Sequence, residues 1–191
     1  MLTEPLCKDR RCIVVGSAPG ALQELEDACQ SELCSWLTLA ANGGAGVARE
    51  AGLIVSVLLT TSYLFRPRTT RQEVATIDAM RGTRCSSIWI DEGHYCDIVP
   101  ALAAVGVTYD RMTRVDPSER HLVTTRATGS PLRVSTGVWA ACLAYVSGAA
   151  SVRVVGVHPE SHGHHGMPWD AARRDHVRAD TVALQAMRVA V

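Results

Sequence analysis

Five short runs of this chain are almost continuously apolar: Cys12–Val15, Trp36–Ala41, Leu53–Thr60, Ser86–Glu92 and Ser151–Val157. A strand with one wet face alternates apolar and polar residues, whereas a strand that is apolar throughout must be covered on both faces. Between the runs lie stretches of helical spacing at Ala21–Cys29, Val47–Ala51, Arg71–Arg81, Asp97–Val105, Thr136–Ser147 and Asp170–Met187. Strand and helix in alternation predict an α/β fold, an open, mostly parallel, Rossmann-like sheet with helices on both faces. The segment Pro117–Pro131 fits neither period, and His121–Thr125 inside it reads as a short strand.

No shift of composition divides the 191 residues, so a single domain over 1–191 is expected. Lys plus Arg equal Asp plus Glu at 19 each, which leaves no basic field to attract nucleic acid or anionic lipid. The seven cysteines are odd in number, show no C-x-x-C spacing and fall partly in apolar runs. They read as thiols of a reducing compartment rather than a disulfide frame. The first residues hold no apolar stretch of signal-peptide length, and no apolar run is long enough to span a bilayer, so a cytoplasmic protein without a transmembrane segment is expected. An apolar content of 47% with zero net charge is compatible with a homo-oligomer.

Two strand ends carry the residues of a ligand site. After Cys12–Val15, the turn Gly16-Ser17-Ala18-Pro19-Gly20 opens a helix whose first N–H groups and partial positive charge suit a phosphate or a carboxylate. It is not G-x-G-x-x-G, and no acidic residue ends the second strand, so a dinucleotide site of that kind is not expected. Asn42, before Gly43-Gly44, has an amide that can both donate and accept, as reading a nucleobase or a sugar requires, although Asn-Gly-Gly is also ordinary turn chemistry. Thr60 ends the third strand in the same small-polar manner.

Arg133-Val134-Ser135-Thr136-Gly137 begins the next helix, where Ser or Thr caps and Arg adds a permanent, forked cation. The run His158–Trp169 is rich in His, Gly and Pro and reads as an exposed loop over the site. Its His158, His162, His164 and His165 lack a carboxylate or thiol at regular spacing, so no metal is expected there. His176, ahead of the last helix, is an imidazole suited to general-base work near neutral pH.

In order along the chain, these pieces resemble the bacterial CMP-sialyltransferases that decorate lipooligosaccharide. The resemblance rests on Gly16–Gly20, on Asn42 and above all on Arg133, Ser135, Thr136, Gly137 and Val138, followed by helix, strand and Gly156-Val157-His158. Ser17, Thr60 and His158 stand where that family has Asn, Asn and Asp, no Tyr follows Tyr145, and the lid between His158 and His176 is short. What the resemblance implies is a metal-independent glycosyltransferase without a cofactor that takes a CMP-linked sugar as donor and a small molecule or glycan as acceptor. Gly16, Ser17, Ala18, Asn42 and Thr60 would hold the nucleotide, and Ser135, Thr136, Gly137 and His158 the phosphate or sugar. Arg133 would supply charge, and His176 would take the acceptor's proton. The alternatives are a CMP-sugar hydrolase or transferase to a small metabolite, a non-catalytic nucleotide-binding module, and a metallohydrolase using the His-rich loop.

Overall fold

The computed structural model describes residues 6–29, 35–65, 71–91, 98–160 and 176–188. Within them six strands form one all-parallel sheet: β1 (Arg11–Val15), β2 (Leu37–Ala41), β3 (Val55–Thr61), β4 (Arg84–Asp91), β5 (Thr108–Val115) and β6 (Ser151–Val155), in the order β5-β4-β3-β2-β1-β6. The helices are α1 (Ala21–Cys29), α2 (Gly44–Glu50), α3 (Arg71–Ala79), α4 (Val99–Ala104), α5 (Pro117–Thr128), α6 (Thr136–Val146) and α7 (Val177–Met187), with a 3-10 turn at Ser62–Phe65 after β3.

The central strands are apolar because both faces are covered. Ile13, Val15, Ala40, Leu58, Ile88 and Ile90 pack under α1 to α4, through Leu25, Val47 and Leu102. Val14, Leu37, Leu39, Val57 and Leu59 pack under α5, α6 and α7 on the other face. Helix α6 lies in the middle of that second layer, so Gly137 to Ala144 are all buried and its sequence is apolar all round. Burying a side chain as large as Trp139 or Leu143 contributes about 2 kcal/mol each.

The chain walks outward from β1 to β5 with its crossings on one face, then returns over the other face to lay β6 beside β1. The order therefore reverses at β1, and crevices at such a switch, at the carboxyl ends of the strands, are where open α/β sheets bind ligands.

Three expectations need correction. Thr108–Val115 is a strand, although nothing in its sequence marked it. It is an edge strand, with polar residues on both faces because only one neighbour and a thin cover bury it. His121–Thr125 is not a strand but the middle of α5. That helix is capped by Asp116, whose carboxylate accepts from Ser118 N at 2.6 Å and Glu119 N at 3.1 Å, and is closed by Gly129 at φ 77. The second helix begins at Gly44 rather than Val47, because Gly44 must pass close to β1, where a Cβ would meet the Val15 carbonyl oxygen at 2.1 Å. Other element ends shift by one or two residues. The start of the helix expected from Asp170, and the loop from residue 161, lie outside the described residues.

Candidate functional site at the carboxyl edge of the sheet

The sequence-predicted residues gather at the carboxyl edge of the sheet in three linked groups. In the first, Gly16, Ser17 and Ala18 follow β1 and touch the end of β6. No side chain fits at Gly16, where a Cβ would lie 2.2 Å from the Gly156 carbonyl oxygen, and Gly156 takes φ 64 to make the approach. Two main-chain donors of the turn and one after β6 are used inside the protein. Gly16 N–H goes to the Val155 carbonyl at 2.8 Å, and Ala18 N–H to the Gly156 carbonyl at 2.9 Å. Glu24, from the first turn of α1, places one carboxylate oxygen on Gly156 N–H at 3.0 Å and the other on His158 Nε2 at 2.5 Å. A carboxylate of the protein thus bridges α1 to the end of β6, and its place in the first turn complements the positive end of α1.

The second group lies at the ends of β2 and β3. Asn42, just after β2, continues the register of Ala41 with Leu59, its N–H reaching the Leu59 carbonyl at 2.9 Å, so it lies beside Thr60, the last residue but one of β3. Asn42 has φ 49, a left-handed conformation that Asn adopts more readily than most side chains. Its Oδ1 and the Thr60 Oγ1 are buried, and neither has a hydrogen-bond partner. Thr60 is fully buried. This group joins the first through Ser17, whose Oγ lies 3.3 Å from where a Cβ on Gly43 would stand.

The third group is built on α6. Ser135 caps the helix, accepting Val138 N–H at 3.4 Å, while its own N–H donates to the Asp180 carboxylate of α7 at 2.8 Å. Thr136 and Gly137 form the first turn, and Gly137 must be small because Val157 presses on it: a Cβ there would stand 2.8 Å from the nearest Val157 methyl. Arg133 is exposed, and its carbonyl accepts from His176 Nδ1 at 3.0 Å. With Nδ1 donating, the His176 Nε2 lone pair is left as the basic position of the ring.

Three residues that organise this edge were missed in the sequence. Asp91, at the end of β4, is 7% exposed and pairs with Arg120 of α5. The Arg120 guanidinium also donates to the Val134 carbonyl at 2.5 Å and lies 5.5 Å from the Trp139 ring, so it fixes the segment before α6. Asp180, 5% exposed, locks α7 to the start of α6. The Asp180 charge also reaches Cys142, whose thiol is pushed up to about 12, first by burial and then by that carboxylate. The only signals were acidic residues closing an apolar strand or standing on the apolar side of a helix, and their partners are distant in sequence.

Among the described residues, no three His, Cys, Asp or Glu side chains gather as a metal site, and no helix is long and apolar enough to cross a membrane. His162, His164 and His165 lie outside the described residues. The chain matches no protein-family model and no curated protein.

Proposed function

We propose that this chain is a nucleotide-sugar-dependent enzyme, a glycosyltransferase of CMP-sialyltransferase-like type, acting without metal. The observation that carries the reading is the pair of orphaned atoms, Asn42 Oδ1 and Thr60 Oγ1, at the ends of adjacent central strands. A buried polar atom left without a partner costs about 1–3 kcal/mol, and a ligand donating from a nucleobase amine or a sugar hydroxyl would recover that cost. The neighbouring Ser17 suits the same nucleoside.

In this reading the donor's sugar carbon faces the start of α6. The exposed Arg133 guanidinium and the Thr136 and Gly137 N–H groups neutralise the departing phosphate. His176, held by the Arg133 carbonyl, removes the acceptor's proton through Nε2 as the bond to the leaving nucleotide breaks. His158 is committed to Glu24 and helps hold the switch point closed.

Calorimetry with CMP tests the binding step. Asn42→Gly keeps the left-handed backbone and removes the amide, so it should weaken CMP binding about ten-fold, the equivalent of roughly 1.4 kcal/mol, without loss of Tm. Equal affinity for CMP in this variant and in the parent sinks the proposal. A donor assay with CMP-sialic acid then reads catalysis, where His176→Ala should lower turnover by a factor of about 100 or more.

One observation favours a second reading, a nucleotide-binding module without catalysis. Glu24, Asp180 and Ser135 already occupy the donors at Gly156, Ser135 and Val138 that a phosphate would otherwise use. Such a module would bind cytidine as tightly as CMP, whereas the enzyme must gain affinity from the phosphate.

A further inference from the structure

The two edges of the sheet are unlike. β6 is five residues long with its last two buried, and Arg153 on it is tied to the Ala28 carbonyl of α1 at 3.3 Å. β5 is eight residues long, and Thr108, Asp110, Arg111 and Arg114 are exposed along it. Among the described residues no strand pairs with its outer side, which makes β5 an edge of the sheet.

From this edge and its charge pattern, we propose that two copies of the chain join through β5, antiparallel across a two-fold axis at Met112, to make one continuous twelve-stranded sheet. A two-fold axis normal to the sheet sets each residue opposite one on the same face, so the axis must pass through a residue. With the axis at Met112, Asp110 of each copy faces Arg114 of the other, Arg111 faces Thr113, and Tyr109 faces Val115. The interface then carries two opposite-charge pairs flanking a methionine pair, and no like charges meet.

Neighbouring registers are penalised. Centring on Asp110, Arg111 or Arg114 sets that charge against itself, and centring on Thr113 sets Asp110 against Asp116. Like charges directly opposite destabilise a strand pair, whereas opposite charges stabilise it. The same charges that discourage random edge pairing therefore favour a second copy of this chain in the Met112 register, the one register within β5 that sets Asp110 against Arg114. Asp110, Met112 and Arg114 share one face of the strand, where Met112 packs partly against the α4 side of the core, so the pairs form above a supported surface.

Sedimentation velocity across the micromolar range tests this, with circular dichroism on each variant to establish that it is folded. The parent should sediment as a species of twice 20.5 kDa. Asp110→Arg and Arg114→Asp each turn both pairs into like charges and should each weaken the dimer about ten-fold or more, while the double swap Asp110→Arg/Arg114→Asp should restore it. Met112→Cys should cross-link into a covalent dimer under mild oxidant, beyond any cross-linking of the parent under the same conditions. A parent that stays monomeric, single variants that dimerise like the parent, a swap that stays monomeric, or an absent Met112→Cys cross-link overturns the proposal. None of these outcomes bears on nucleotide binding.

Discussion

The junction of β1 with β6 and the junction of β2 with β3 lie on the same edge of the same sheet, yet they are built in opposite ways. At β1 and β6, glycines let two backbones touch, and the donors at Gly16, Ala18 and Gly156 are met by carbonyls or by Glu24. At β2 and β3, Asn42 Oδ1 and Thr60 Oγ1 are buried and unmet. Small residues after a strand therefore have two physical meanings, close packing of main chain in one place and polar atoms left without a partner in another. What separates them is whether the polar atoms are already paired.

The largest effect should come from breaking the packed junction. Gly16→Ala places a Cβ 2.2 Å from the Gly156 carbonyl oxygen, which is backbone and cannot swing away, so β1 and β6 must part. A loss of about 4 kcal/mol or more is expected in urea unfolding, the range reserved for severe steric and core damage. Gly52→Ala is the control: its φ is 74, but nothing lies within 4 Å of the new methyl, so only the left-handed backbone is strained, at about 1 kcal/mol. If the two variants unfold alike, close packing is not what the glycine at 16 provides.

Second in size is the removal of an internal partner next to the site. Arg120→Ala leaves the Asp91 carboxylate buried without its cation, opens the Val134 carbonyl and takes the guanidinium from the Trp139 face. Stripping one partner from a mostly buried pair costs about 3 kcal/mol, and the same variant should loosen the segment from Arg133 to Gly137. Hydrogen exchange at the first turn of α6 reads that second effect. Unchanged exchange there would separate the Asp91–Arg120 pair from the site.

The central strands could be read in the sequence because burial on both faces leaves an unbroken apolar run, as in Leu37–Ala41 and Val55–Thr61. β5 could not be, since an edge strand such as Thr-Tyr-Asp-Arg-Met-Thr-Arg-Val has few neighbours to demand apolar residues. α5 was hidden by three threonines, Thr124, Thr125 and Thr128, whose hydroxyls turn back to the carbonyls four residues earlier and so tolerate the helix. Its ends were nonetheless written in the sequence, as Asp116-Pro117-Ser118-Glu119 before and Gly129 after. The places of Asn42 just after β2 and of Ser135 at the cap of α6 were legible because strand ends and helix starts are local. The contacts of Glu24, Asp91 and Asp180 were not, since each reaches a partner 29 to 134 residues away.

The smallest effect is the one that sharpens the comparison most. Thr60→Val replaces the fully buried hydroxyl with a methyl of nearly the same shape. If Thr60 Oγ1 is unmet in the free protein, removing it relieves a desolvation cost, and stability should stay level or rise by about 1 kcal/mol in urea unfolding. A hydroxyl that were hydrogen-bonded within the fold would instead give a loss of similar size. The paired result matters: a variant that is as stable as the parent but binds CMP more weakly assigns the hydroxyl to the ligand. A variant that loses stability and keeps its affinity makes β2 and β3 as self-contained as β1 and β6.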